Sequence, residues 1–92
     1  AEVVLRGHTV SEPLAAAQEF AERTGAVYIP PFDHRDVIAG QGTLGLELLE
    51  QAPELQTVIV PIGGGGLISG VASVLKRTAA EQGRRIRVIG VQ

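Results

Sequence analysis

The 92-residue sequence contains no cysteine, no methionine and no tryptophan, and only 3% of it is aromatic. Without cysteine there is no disulfide framework, no thiolate metal site and no cysteine nucleophile, a usage that fits a reducing compartment. No apolar run approaches the roughly 18–20 residues that a membrane-spanning helix needs. No charged stretch leading into an apolar core marks a secretory signal. Charge of one sign is scarce too: 8 Lys and Arg against 10 Asp and Glu leave a net charge of −2, which excludes a basic nucleic-acid grip.

What is present is globular in character, 45% hydrophobic and 20% charged, and so neither a disordered tail nor a collagen-like repeat. A chain this short buries only about 60–65% of its unfolded surface. It carries no initiator methionine, and it ends in a β-branched run, Ile86 to Gln92, with no turn residue after it. On these grounds it is expected to be an internal piece of a longer polypeptide.

Short β-branched runs alternate with longer helical stretches. Val3-Val4-Leu5 reads as a strand, and Ser11 to Thr24 as a helix with Thr9 and Glu12 in a capping box and Gly25 as its stop. Ala26 to Ile29 is a second strand, ended by Pro30-Pro31, and a polar loop Phe32-Asp33-His34-Arg35 follows. A second helix is expected from about Asp36 to Ala52, with Val37, Leu44, Leu48 and Ala52 near one face and Pro53 forcing its end. Thr57 to Pro61 is apolar through its middle, as for a strand covered on both faces. Leu67 to Gln82 is helical, with Gly83 and Arg84-Arg85 closing it, and Arg85 to Val91 is the last strand. This β-α-β-α-β-α-β order predicts an α/β fold with a parallel sheet.

Two glycine clusters compete for the chemistry. Gly40-Gln41-Gly42-Thr43-Leu44-Gly45 spells G-x-G-x-x-G. A dinucleotide fingerprint would need a strand before it and an acidic residue about 20 positions later; Gly63 to Gly66 stand there instead. The helical period runs through these glycines, so Gly42 and Gly45 are expected to thin a helix face for close packing. The second cluster, Gly63-Gly64-Gly65-Gly66, lies between the buried run Val58-Ile59-Val60 and a helix. That order suits phosphate: a helix start offers unpaired N–H groups and a partial positive charge, and glycine removes the side chains that would block approach. A Walker-type loop is excluded, because Val71-Ala72 follows Gly70 where Lys and Ser/Thr are required.

The other polar residues point to structure. Asp33, His34 and Asp36 have the composition of a metal cluster but sit in a Pro-flanked loop with no second histidine nearby, and His8 has no evident partner. Ser69 can join a phosphate or bond its own helix backbone. Arg84, Arg85 and Arg87 are explained by the helix dipole, and Glu12, Glu19 and Glu22 by the surface. Lys76, the one lysine, stands ten residues beyond Gly66, about 15 Å along a helix, and points away from anything bound at the helix start.

Four strings together, VVLRG at Val3, PPFDHRDVIAGQGTLGLELLEQ from Pro30, VIVPIGGGGLISG from Val58 and RVIGVQ at Arg87, resemble the pyridoxal-5′-phosphate enzymes of the tryptophan-synthase-β type. GGGGLISG in particular is similar to the threonine dehydratase (threonine ammonia-lyase) and serine racemase branch. Cysteine-synthase relatives tend to GTGGT there, and the tryptophan-synthase branch carries Ser and Asn. The resemblance implies a fold-type II enzyme in which backbone amides of Gly63, Gly64, Gly65, Gly66 and Leu67 wrap the cofactor phosphate. It implies that residues 1–25 are the last strand and helix of a small domain and 26–92 the central part of a large cofactor-binding domain. The cofactor-bearing lysine, the substrate-carboxylate loop and the serine facing the pyridine nitrogen belong to segments that these strings do not include. No residue here is therefore expected to be catalytic, and no metal is expected.

By the same resemblance the parent would deaminate L-threonine or L-serine to a 2-oxo acid and ammonia, in amino-acid metabolism such as isoleucine biosynthesis. It would be a cytoplasmic homo-oligomer with a small amino-acid substrate and neither nucleic acid nor membrane as partner. A serine/threonine racemase or eliminase, and a non-catalytic phosphate-binding module, stand as alternatives.

Overall fold

The computed structural model describes all 92 residues and contains three helices and two strands: α1 (Ser11–Thr24), α2 (Arg35–Gln51), β1 (Thr57–Pro61), α3 (Gly66–Glu81) and β2 (Arg87–Val91). The strands pair in parallel, Thr57 opposite Arg87 through to Pro61 opposite Val91. The β1–α3–β2 unit is thus a βαβ crossover in a parallel sheet, the expected α/β class. Fewer strands pair than the hydrophobic pattern allows. The segments around Val3–Leu5 and Ala26–Ile29 take part in no ladder, and Leu5 and Val27 are almost wholly exposed. A strand is defined by a hydrogen-bonded neighbour, and neither segment has one; both line an open cleft of about 840 Å³ together with one face of α1.

The core forms around α3. Val60 of β1, Val71, Leu75 and Ala79 of α3, and Ile86 just ahead of β2 make one buried cluster, with Leu48, Leu49, Leu55 and Val88 packed against it. Val71, Leu75 and Ala79 recur at helical spacing and so share one face. Within β1, Val60 points into this cluster while Ile59 is 66% exposed on the opposite face. The apolar run Val58-Ile59-Val60 suits a doubly covered strand, but this chain covers one side. Gly90 of β2 lies under the side chains of Ile62 and Ile68, which occupy the space a Cβ would take.

Helix α2 runs along α3, and the contact face is one position away from the expected stripe. Gly42 and Gly45 are its buried residues, whereas Leu44 is 41% exposed. A Cβ on Gly42 would lie 3.2 Å from Val74 Cγ2, and one on Gly45 3.1 Å from Val74 Cβ. On the facing helix, a Cβ on Gly70 would run into the backbone of Ile38 and Gly42. The G-x-G-x-x-G string is therefore a packing surface, as its helical period implies. Val74 of α3 is the residue those glycines accommodate.

Helix ends follow local chemistry. Gly25 adopts φ +75° and its N–H reaches Ala21 O, a left-handed stop. At the start of α1, the Glu12 carboxylate accepts from the N–H of Thr9 and of His8, while the Thr9 hydroxyl pairs with Ser11 Oγ at 3.0 Å. Half of the capping box forms, and the threonine turns to a side chain. His34 caps α2, its Nδ1 accepting from Asp36 N at 3.2 Å. No buried residue lies on α1.

Candidate functional site

The site is the turn between β1 and α3. Ile62 N–H still donates to Val91 O at 2.7 Å, so the ladder holds the chain up to the first glycine. From Gly63 to Ile68 no backbone N–H donates a hydrogen bond within the chain; the next, Ser69 N–H, bonds Gly65 O at 3.0 Å. These amides belong to the loop and the first turn of a 16-residue helix, where the helix dipole adds a partial positive charge. The amides of Gly63 to Leu67, those the sequence reading assigns to a phosphate, have no partner within the chain.

Ser69 sharpens the aim. Its hydroxyl donates to Gly65 O at 2.7 Å, beside the bond from its own N–H, so two donors draw that carbonyl down the helix. The Gly66 N–H, trans to the carbonyl across the same planar peptide, is thereby turned out of the helix start. Of the two roles the sequence left to Ser69, the structure assigns backbone bonding.

The four glycines do different work. Gly65 has φ +91°, a left-handed conformation that side chains rarely adopt, and nothing stands within 4 Å of where its Cβ would be. Gly63 likewise faces open space. Gly64 and Gly66 face Phe32: a Cβ on Gly64 would collide with the aromatic ring, and one on Gly66 would lie 3.0 Å from Phe32 Cα, Cβ and O. An open cleft of about 320 Å³ lies here, lined by Gly63 to Leu67 together with Pro31, Phe32, Gln41 and Pro61. Sequence reasoning missed Phe32 and Gln41, having placed the first in a polar loop and the second in a helix repeat. An aromatic residue in a chain with so few, set between Pro31 and Asp33, was the available signal.

Other polar candidates lie outside the cleft. Lys76 Nζ donates to Ile86 O at 2.7 Å, at the other end of the core. Arg84 does more than offset a dipole: its Nη1 donates to Leu55 O at 2.8 Å, pinning the link between α2 and β1. Asp33, His34 and Asp36 form no metal-holding group. No helix is long and apolar enough to cross a membrane.

A parallel strand, a glycine loop with free amides and a helix start form the arrangement on which α/β proteins bind anions. The chain belongs to the pyridoxal-phosphate dependent enzyme family, whose model matches residues 1–92. It is 49% identical to an L-threonine ammonia-lyase of Thermotoga maritima over all 92 residues, which span 22% of that relative. Among solved structures, a threonine deaminase from T.th. matches with a TM-score of 0.79 and 44% identity over 98% of this chain and 29% of that one. A maize serine racemase matches with a TM-score of 0.79 and 44% identity over 92% of this chain and 26% of that one. A pyridoxal 5′-phosphate-dependent aspartate racemase matches with a TM-score of 0.87 and 36% identity over 99% of this chain and 26% of that one. The chain thus spans about a quarter of the length of the proteins it matches.

Proposed function

We propose that this chain is the phosphate-gripping segment of a pyridoxal-phosphate dependent lyase that deaminates L-threonine or L-serine to a 2-oxo acid and ammonia. The observation that carries the reading is the run of free amides from Gly63 to Ile68 on a helix start, in a chain 49% identical to a threonine ammonia-lyase. The residues present fit the cofactor's phosphate: the donor set is neutral backbone N–H, and the open sides of Gly63 and Gly65 leave room for oxygens. In this reading the amides of Gly63, Gly64, Gly65, Gly66 and Leu67 hold the phosphate, while Ser69 fixes the Gly65–Gly66 peptide. Once bound, the cofactor supplies an electron sink for the α-carbon of an amino acid. This chain contributes position and charge: it anchors one end of the cofactor so that the reactive end is presented at a fixed distance.

Lys76 is committed to the Ile86 carbonyl, which supports placing the covalent anchor outside these 92 residues and the isolated chain as inactive. Threonine turnover by the pure chain would contradict that. The 44% identity to a serine racemase supports racemisation as the second reading. The separation of α1, with no buried residue, from the packed remainder supports assigning residues 1–25 to a small domain and 26–92 to a large one. Exposed Leu44, Leu46 and Ile59 support self-association; a single monomeric boundary in sedimentation at high concentration would oppose it.

The direct test is a carboxylate in the seat. Gly63→Asp places a negative charge where a side chain has room and no left-handed φ is required. Titration with pyridoxal phosphate and with inorganic phosphate is expected to show binding abolished and the circular dichroism spectrum kept. Gly65→Asp is expected to act alike with added backbone strain. Unaltered phosphate binding in Gly63→Asp would overturn the reading.

A further inference from the structure

We infer that Phe32 is a positioning residue for the glycine loop, setting the direction of its amides from behind. The inference rests on the phosphate-seat reading and names a part of that seat outside the loop itself. Along the loop the space alternates: Gly64 and Gly66 abut Phe32, while Gly63 and Gly65 are open. The ring lies on Gly64 and the Phe32 main chain lies on Gly66, the first residue of α3. One residue therefore contacts the loop at two alternate points, which restricts the rotation of the peptides between them.

Phe32 is itself held firmly. Its carbonyl accepts from His34 N at 3.1 Å, and His34 caps α2, so Phe32 stands at the threshold of that helix. Helix α2 is in turn locked to α3 by the Gly42, Gly45 and Gly70 contacts. The support beneath the loop is thus continuous with the most closely packed part of the molecule. A four-glycine loop has high conformational entropy when free, and unpaired amides bind an anion well only if they already converge. The Phe32 ring supplies that constraint with van der Waals contact alone, leaving every N–H free.

The test compares pyridoxal phosphate with pyridoxal, which lacks the phosphate, binding to the full chain. For Phe32→Ala, affinity for pyridoxal phosphate is expected to fall about tenfold, the scale on which outer-shell partners act. Affinity for pyridoxal is expected to stay unchanged, and inorganic phosphate to compete correspondingly less well. Phe32→Leu, which keeps apolar bulk over Gly64, is expected to recover most of the loss and keeps the test usable where Phe32→Ala folds poorly. An equal loss for both ligands would reduce Phe32 to general stability. Unchanged phosphate affinity in both variants would also overturn the inference, and a gain in Phe32→Ala would show the ring obstructing the seat. If the unsubstituted chain fails to prefer pyridoxal phosphate over pyridoxal, the seat reading falls, a result distinct from any of these.

Discussion

Residues 1–30 and residues 35–91 hold apolar side chains of the same kinds and treat them in opposite ways. In the first region Val3, Leu5, Val27 and Ile29 are each more than two-thirds exposed, and Phe20 is half-exposed with the Arg23 guanidinium 5.4 Å from its ring centroid. In the second, Val71, Leu75 and Ile86 are essentially inaccessible. Hydrophobicity is comparable; what differs is whether a helix and a strand partner lie within reach along the chain. The second region closes a βαβ crossover on itself, and the first has one helix beside two unpaired segments across an open cleft. Burial here follows topology more than composition.

That contrast can be broken by substitution. Leu75→Ala in the core is expected to cost about 2–5 kcal/mol in a denaturant melt, the largest effect of the series. Gly70→Ala forces a methyl group against the backbone of Ile38 and Gly42 and is expected to cost about 1–3 kcal/mol. A neutral result would show that α2 and α3 are less closely apposed than described. Gly40→Ala, on the same helix as Gly42 but with nothing within 4 Å, is expected to gain about 0.5–1 kcal/mol from helix propensity. Opposite signs at positions 40 and 70 would separate the packing glycines from the idle one. Val27→Ala is expected to change stability by no more than about 0.5 kcal/mol. A larger loss would mean that the first region is packed after all.

The sequence made the β1–loop–α3 segment legible because each part is specified locally: a β-branched run, a glycine run that interrupts it, and a helical period beyond. The Gly25 stop and the end of α2 before Pro53 were readable for the same reason. On α2 the helical period made Gly42 and Gly45 legible as a packing surface, but the apolar stripe also included Leu44, which is 41% exposed. Phe32 over Gly64 and Arg84 on Leu55 escaped notice because residues about 30 apart in sequence meet only in the fold. The strands expected at Val3 and Ala26 have the right residues, but pairing depends on what lies beside them.

Gly90 carries one more consequence. It sits in β2, opposite Val60 and well away from the glycine run in sequence, yet its missing side chain makes room for Ile62, which leads into that run, and Ile68, which follows it. Volume added at this position would be transmitted upward through two isoleucines to both flanks of the glycine loop proposed to hold the phosphate. A screen for weakened cofactor retention should therefore recover substitutions at residue 90, although it touches no ligand.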